Sequence, residues 1–497
     1  MSFFDDLLQE TRIAASALAE YVTGNGLRLG VTGLSRAGKT VLITALVHDL
    51  IRASAAARDG ERTLPVFRVH AEGRLKRARL EPQPDDHIPR FAFEDHIAAL
   101  TAGADRSWPQ STRRISELRV TIEFERTQGW RAGPAELTLD IVDYPGEWLL
   151  DLPLLTKSYA QWSKDALDSS AAPARALLAS QWRAATLASD ANGPESEETA
   201  RKLAELFTQY LRAARTDAYA LSTLPPGRFL MPGELEGSPA LTFAPLPVEE
   251  GAAPAHSLHA MMERRYEAYK AVVVRPFFRD HFSRLDRQIV VVDALGALNS
   301  GPAAVRDLEN ALTEVLMAFR AGRSNLLSTI FRPKIDRILF AATKADHLHR
   351  TSHDRLEAIL RMLTARAIAR AEDVGARVDV IALAAVRATR EAMVKQGGAF
   401  STRELEAIVG TPLAGETIDG QTFDGTGEVA IFPGELPADP KAALRGDGLA
   451  IPAEEADYRF VRFRPPVAKI GSDGLALPLP AIRLDRALEF LIGDRLT

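Results

Sequence analysis

The sequence predicts an α/β fold: a mostly parallel sheet covered by helices on both faces, interrupted by an inserted α-helical domain and followed by a small β-containing C-terminal addition. Three observations carry this. An apolar run from Leu27 to Val31 ends at Gly33, and Gly33-x-x-x-x-Gly38-Lys39-Thr40 leads into the apolar-periodic segment Val41 to Ile51, giving strand, glycine loop and helix in order. From residue 288 onward short apolar strands alternate with amphipathic helices, the pattern of a parallel sheet buried on both faces. Between these regions, from Trp148 to Arg284, apolar and aromatic residues recur at helical spacing.

The elements follow in order. Phe3, Phe4, Leu7, Leu8, Ala15, Leu18 and Val22 give an amphipathic first helix whose polar face carries Asp5, Asp6, Glu10 and Glu20. That face suits docking on the protein itself better than an anionic membrane, where basic residues are expected. Residues 59–110 read as a strand and loops with one helix near Arg90 to Leu100. The basic cluster Arg74 to Arg79 reads as a solvated strand edge, since Glu81 to Asp86 follow at once and no aromatic stacking set is interleaved. Alternation in Glu117 to Glu125 and a second run, Ala135 to Val142, predict a hairpin. Helices are expected over Lys157 to Asp168, Pro173 to Ala188, Ser196 to Arg215 and Ser257 to Arg284, with Trp148, Trp162, Trp182, Tyr210, Tyr266, Tyr269, Phe277 and Phe278 as packing. The Pro/Gly-rich stretch Leu224 to Pro254 reads as a mobile or partner-binding loop. Strands at Gln288 to Asp293, Asp336 to Thr343 and Arg377 to Leu383 then alternate with helices Ala303 to Arg320 and Ser352 to Ala371. Beyond Ala385 short strands such as Val429 to Phe432 and Tyr458 to Phe463 are expected, and a last helix bearing Leu484, Leu488 and Leu491 packs back on the sheet. The division is 1–146, 285–390 and 478–497 for the domain built on the parallel sheet, 147–284 for the helical insertion and 391–477 for the C-terminal addition.

Composition narrows the chemistry. With 497 residues, 61 basic against 66 acidic side chains and a net charge of −5, the chain lacks the basic excess of a general nucleic-acid binder, so no nucleic-acid partner is expected. Zero cysteines exclude disulfides, thiol catalysis and cysteine-ligated metals, and suit a reducing cytoplasm. No stretch approaches eighteen consecutive apolar residues, and Asp5 and Asp6 stand where a signal peptide carries Lys or Arg. A cytoplasmic protein is expected, peripheral at the inner membrane at most.

The residues Gly33 to Thr40 form a phosphate-binding loop. Gly33 and Gly38 let the backbone curl, so that amides of Ser35, Arg36, Ala37, Gly38, Lys39, Thr40 and Val41 lie at a helix N-terminus; Lys39 adds a point charge and the Thr40 hydroxyl can reach Mg²⁺. Asp143-x-x-Gly146 ends the second hairpin strand, where an acid can hold Mg²⁺ through water and a glycine N–H can meet a γ-phosphate. Asp293-x-x-Gly296 competes for that role; Asp143 is preferred because it ends the strand that pairs with an antiparallel neighbour. Thr343-Lys344-Ala345-Asp346 follows a strand: its carboxylate can accept the N1–H and N2–H₂ of guanine, a donor pair adenine lacks, while the Lys344 stem lies along the base. For Thr343 and Asp346, helix N-capping is the alternative role.

With these three motifs the sequence resembles the translation-factor-like and Ras-like GTPases. More closely it resembles the bacterial YcjX family of GTP-binding proteins, through Gly33 to Thr40, Trp108 to Arg113, Asp143-Tyr-Pro-Gly-Glu-Trp148, Arg287 to Asp293 and Thr343 to Asp346. The resemblance implies a P-loop NTPase fold of Ras-like type with an inserted helical domain, GTP/GDP and Mg²⁺ as ligands, and a link to stress responses. A protein partner is expected through the helical insertion, and a membrane-associated partner is left open.

Departures from the GTPase pattern bear on the mechanism. A switch threonine is needed ahead of the first hairpin strand, and Thr112, with Ser111 next, is best placed to meet Mg²⁺ and γ-phosphate. Glu147 stands where many GTPases have a glutamine; it can act as a base, yet it repels phosphate, so slow or partner-activated hydrolysis is expected. Arg36 inside the loop either neutralises transition-state charge or points to solvent. The loop after Leu383 lacks the usual Ser-Ala-Lys, leaving the backbone N–H groups of Ala385 and Val386 as contacts to the base. His347 and His349 read as members of a solvated loop. An ATP-dependent kinase-like enzyme and a nucleotide-stabilised interaction protein with negligible turnover are the rival readings.

Overall fold

The computed structural model describes residues 26–497 apart from 35–36, 62, 84, 111–113, 128–131, 217–220, 222–224, 318–334, 374, 399–400, 419, 445–457 and 459. The amphipathic first helix, Ser35, Arg36, Ser111 and Thr112 therefore lie outside the described residues.

Strand β1 (Gly26–Gly33) runs through the glycine loop into helix α1 (Lys39–Arg58); β2 (Leu75–Glu81), α2 (Phe93–Thr101), β3 (Ser116–Arg126) and β4 (Gly133–Asp143) follow. The helical segment holds α3 (Tyr159–Ser170), α4 (Ser180–Leu187), α5 (Glu197–Ala214), α6 (Leu258–Tyr269) and α7 (Arg275–Asp280). Then come β5 (Arg287–Val292), α8 (Ala294–Asn299), α9 (Pro302–Met317), β6 (Arg337–Ala342), α10 (His353–Leu363), α11 (Ala365–Asp373) and β7 (Arg377–Ala382). The remainder contributes β8 (Arg390–Gly398), β9 (Ser401–Gly410), β10 (Thr417–Ile418), β11 (Gln421–Thr422), β12 (Val429–Ile431) and α12 (Leu484–Ile492).

The seven strands β1 to β7 form one sheet in the order β2-β3-β4-β1-β5-β6-β7. β4, β1, β5, β6 and β7 are parallel, while β3 joins β4 as the predicted hairpin, in register from Ser116 opposite Asp143 to Arg126 opposite Gly133. At the sheet edge the basic residues of β2 meet acids beside them: Arg77 bonds Glu123, and Lys76 bonds Glu125. This is the solvated edge expected of that cluster, and its charges discourage pairing with another chain.

Both faces of the sheet are buried, and alternate residues of one strand serve different cores. Ile289 and Val291 of β5 join a core with α1 and α12, while Val290 and Val292 join the core that continues into the helical segment. α1 is long and apolar enough by composition to cross a membrane, but Leu42, Leu46 and Leu50 are at most 1% exposed inside the protein. Leu484, Leu488 and Leu491 of α12 pack back as expected, and the fully buried Arg287 pairs with Asp336 at 3.0 Å and with Asp494, tying α12 to the starts of β5 and β6.

The helical core is aromatic. Trp182 stacks on Tyr210 at 5.5 Å, and Trp162 stacks on Tyr266 at 5.2 Å. Such pairs contribute about 0.5–1.5 kcal/mol beyond their area. Between α6 and α7 the turn widens into a π-helix, Lys270–Val274, just ahead of Pro276, which has no N–H to give an α-helical ladder.

Two expectations need correction, and one pairing was not foreseen. Leu224 to Pro254 is in part core rather than surface loop: Phe229 is 4% exposed and Phe243, Ala244 and Leu246 are fully buried, because its aromatic residues fill the space between α3, α5 and α6, while Glu249 to Ala252 stay exposed. Tyr159 Oη donates to Ala244 O at 2.7 Å, fixing the extended proline-bearing backbone. Among the described residues of Tyr458 to Phe463 there is no strand; Phe463 forms a single bridge with Pro412. The long hairpin β8–β9, which β12 extends, went unpredicted, because Arg390-Glu-Ala-Met-Val-Lys mixes charge and apolar residues without a buried face to impose strict alternation.

Candidate functional site

At the carboxyl ends of β1, β5 and β6 lies a cleft of about 800 Å³, the place where open α/β sheets bind ligands. Lys39, Thr40 and Val41 line one end; Thr343, Lys344 and Asp346, with Ala385 and Val386, line the other.

The first end is made by close backbone contact. Gly38 precedes α1 in a left-handed conformation, φ 85°, with nothing near its missing Cβ, so a side chain is excluded there by the backbone itself. Gly33 is a glycine for another reason: a Cβ would lie 2.4 Å from Val291 O. A Cβ on Gly146 would lie 1.7 Å from Gly33 O, so β5 and the turn after β4 clamp the start of the loop. α1 begins with no side-chain cap and no acid in its first turn, leaving its N-terminal amides and positive dipole end suited to an anion. Lys39, 9% exposed, folds back so that Nζ donates to Gly33 O at 3.0 Å. Thr40 is 6% exposed in the same turn.

Asp143 ends β4 beside Val31 and is 1% exposed; it and Gly146 sit behind the loop rather than on the cleft wall. Its rival Asp293 is drawn to the other end, where Oδ1 accepts Gly296 N at 2.9 Å and Oδ2 meets the Lys344 ammonium. Glu147 does line the cleft, and Arg215 from the C-terminal end of α5 bonds it at 2.7 Å. Burial pushes the Glu147 carboxyl up, but Arg215 and then Lys39 outweigh it and hold the pKa below the ordinary glutamate range.

The second end depends on loops. Lys344 adopts a left-handed backbone, φ 63°, a conformation that costs a non-glycine residue on the order of 1 kcal/mol and is tolerated where a site needs it. Asp346 is 4% exposed, and its Oδ2 accepts Ala388 N at 2.9 Å. The loop after β7 is stitched to residues 480–482: Ile482 N donates to Ala384 O at 2.8 Å and Arg387 N to Pro480 O at 2.6 Å. Among the described residues the intervening amides of Ala385 and Val386 donate to no protein acceptor.

A family model described as the YcjX-like family matches residues 27–496. The chain belongs to the YcjX-like family. A relative named Ras-like GTPase YcjX from Escherichia coli is 37% identical over 491 residues, covering 97% of this chain and 98% of its own length. A second of the same name from Shewanella oneidensis is 34% identical over 513 residues, covering both chains in full. The α/β sheet described above is consistent with that naming.

Several walls of the YcjX-like site were not read from the sequence. Arg215, Leu221 and Met231 reach the first end from the helical segment, and Leu413, Glu416, Arg462 and Phe463 reach the second from the C-terminal segment. Trp108, quoted for the family resemblance, donates from Nε1 to Phe463 O at 2.6 Å and so ties the approach to β3 to the C-terminal segment. Apart from Trp108, none of these carries a local motif. His347 and His349 are not in a solvated loop: His349 is 7% exposed with Nδ1 2.9 Å from Thr351 Oγ1, and His347 meets the edge of Phe463 at 5.4 Å. Among the described residues no three His, Asp or Glu side chains gather as a metal site.

Proposed function

We propose that this YcjX-like protein binds GTP and hydrolyses it to GDP and phosphate. The observation that carries the reading is the single cleft with Lys39 and Thr40 at one end and the buried Asp346 at the other. Lys39 exchanges its bond to Gly33 O for the β and γ phosphates, and the amides starting α1 cradle them. Asp346 accepts from N1–H and N2–H₂ of guanine; the Ala388 N–H leaves acceptor capacity on the carboxylate and fixes its direction. The amides of Ala385 and Val386 face the O6 edge, and the Lys344 stem covers the ring. Thr40 and Asp143 would hold Mg²⁺, which when bound supplies positive charge against the phosphate oxygens. Water adds to the γ-phosphorus as the bond to the β–γ bridging oxygen breaks, and its proton leaves with the phosphate. Because Glu147 joins the phosphate end to α5, the reading extends to a switch whose output surface is the helical segment.

Titration of GTP, GDP and ATP, followed by phosphate release with and without Lys39→Ala, tests this. Guanine nucleotides should bind at least about 100-fold tighter than ATP, and the variant should lose binding by about 100-fold or more together with phosphate release. Tighter ATP binding would replace the reading by an ATP-dependent enzyme; tight GTP binding without release would leave an interaction protein. Amide exchange in α5 that is equal with GDP and a non-hydrolysable GTP analogue removes the switch.

A further inference from the structure

The residue in the cleft with the least expected origin is Arg215. It follows the last turn of α5, 68 positions beyond Glu147, yet its guanidinium bonds Glu147 Oε1 at 2.7 Å and lines the same cleft end as Lys39. Its side chain is 19% exposed and that of Glu147 6%, so the pair is largely withdrawn from water. Backbone packing holds it there. Leu221 N donates to Ala214 O at 3.0 Å, bringing a second cleft residue against the end of α5, and a Cβ on Gly227 would lie 1.8 Å from Glu147 O, so the Pro226–Gly227 turn rests directly on Glu147. Asp151 fixes that turn, accepting Gly227 N at 2.6 Å and Tyr269 Oη at 2.6 Å.

A carboxylate at this position opposes the arrival of a γ-phosphate, while a guanidinium beside it offers a planar fork matched to phosphoryl oxygens. We propose that Arg215 is a catalytic arginine supplied in cis by the helical segment: Glu147 holds it at the cleft until the γ-phosphate competes for the guanidinium, which then neutralises charge on the transferring group. This rests on the GTPase reading above. Its consequence is that hydrolysis requires α5 to be seated, so a partner that moves the helical segment sets the rate.

The test uses the full chain, with Arg215→Lys, which keeps a charge for Glu147 but not the fork, and the double variant Glu147→Gln/Arg215→Gln, which removes both charges and keeps a hydrogen-bonding pair. Affinity for GDP alone is compared with affinity for GDP plus Mg²⁺ and aluminium fluoride, a mimic of the transferring phosphoryl that needs no turnover; single-turnover phosphate release is measured beside it. Both variants should bind GDP within about threefold of the wild type, lose about tenfold or more of the extra affinity conferred by aluminium fluoride, and release phosphate at least about 100-fold more slowly. Variants that gain as much from aluminium fluoride as the wild type overturn the proposal and leave a structural ion pair. A wild type that binds GTP but gains nothing from aluminium fluoride also overturns it. Failure of the wild type to bind guanine nucleotide at all is a different result, and removes the GTPase reading itself.

Discussion

Each end of the cleft carries one arginine–glutamate pair, and the two differ in every respect that matters. At the phosphate end Glu147 and Arg215 are 6% and 19% exposed at the side chain; at the base end Glu416 and Arg462 are 15% and 68% exposed at 2.6 Å. The first pair comes from the helical segment and sits against Lys39, where removing one partner strands a charge out of water. The second comes from the C-terminal segment and holds a half-buried Glu416 against an exposed Arg462, whose guanidinium stays in water, and pairs open to solvent in this way contribute at most about 1 kcal/mol. The two additions to the sheet therefore close the cleft by different physics. The helical segment brings charge to the end that holds Lys39, whereas the C-terminal segment brings the apolar Phe463, whose carbonyl accepts Trp108 Nε1.

The largest expected effect is at the base end and concerns Asp346. With Asn in its place, Ala388 N–H keeps the amide oxygen and turns the NH₂ toward the cleft, opposing the guanine donors. Asp346→Asn should lose GTP affinity by about 100-fold or more and gain affinity for xanthosine triphosphate, whose C2 oxygen accepts from that NH₂. Unchanged preference in a competition titration would mean that the base lies elsewhere.

Next in size is Asp151, which supports the wall under Glu147. Burial raises its pKa to about 6 against the bonds from Tyr269 and Gly227 and the charge of Arg228. The folded state then holds a proton that the unfolded state has lost between about pH 4 and 6, so stability from this group falls as pH rises through that window. The buried His48 and His281, lowered to about 4 by burial, act in the opposite direction. Only the difference between wild type and Asp151→Asn isolates the effect: urea unfolding should show it changing by about 2 kcal/mol from pH 4 to 7, and a pH-independent difference would refute it.

The smallest effect should come from Glu416→Gln, which changes nucleotide affinity by less than about threefold. A loss of nucleotide affinity of about tenfold or more would erase the contrast between the two ends.

The legible parts of this protein were those whose chemistry is local. Gly33, Gly38, Lys39 and Thr40 are adjacent in sequence because one turn of backbone must present them together, and Asp346 follows its strand because a strand's end is where a side chain can face a ligand. The strand-and-helix order around them came from periodicity of 2 and 3.6, which survives in any single stretch of chain. Arg215 gave no such signal; one arginine at the end of an amphipathic helix looks like many others. The Pro/Gly stretch near Phe229 and Phe243 read as a loop because its composition breaks helices, and nothing local says that its rings will be buried. The sequence by itself determined the α/β order, the phosphate loop and the candidate guanine acid. Only the tertiary structure decided that the helical segment's arginine and the C-terminal phenylalanine close the two ends, because those contacts join residues far apart in the chain, and packing against the sheet brings them into reach.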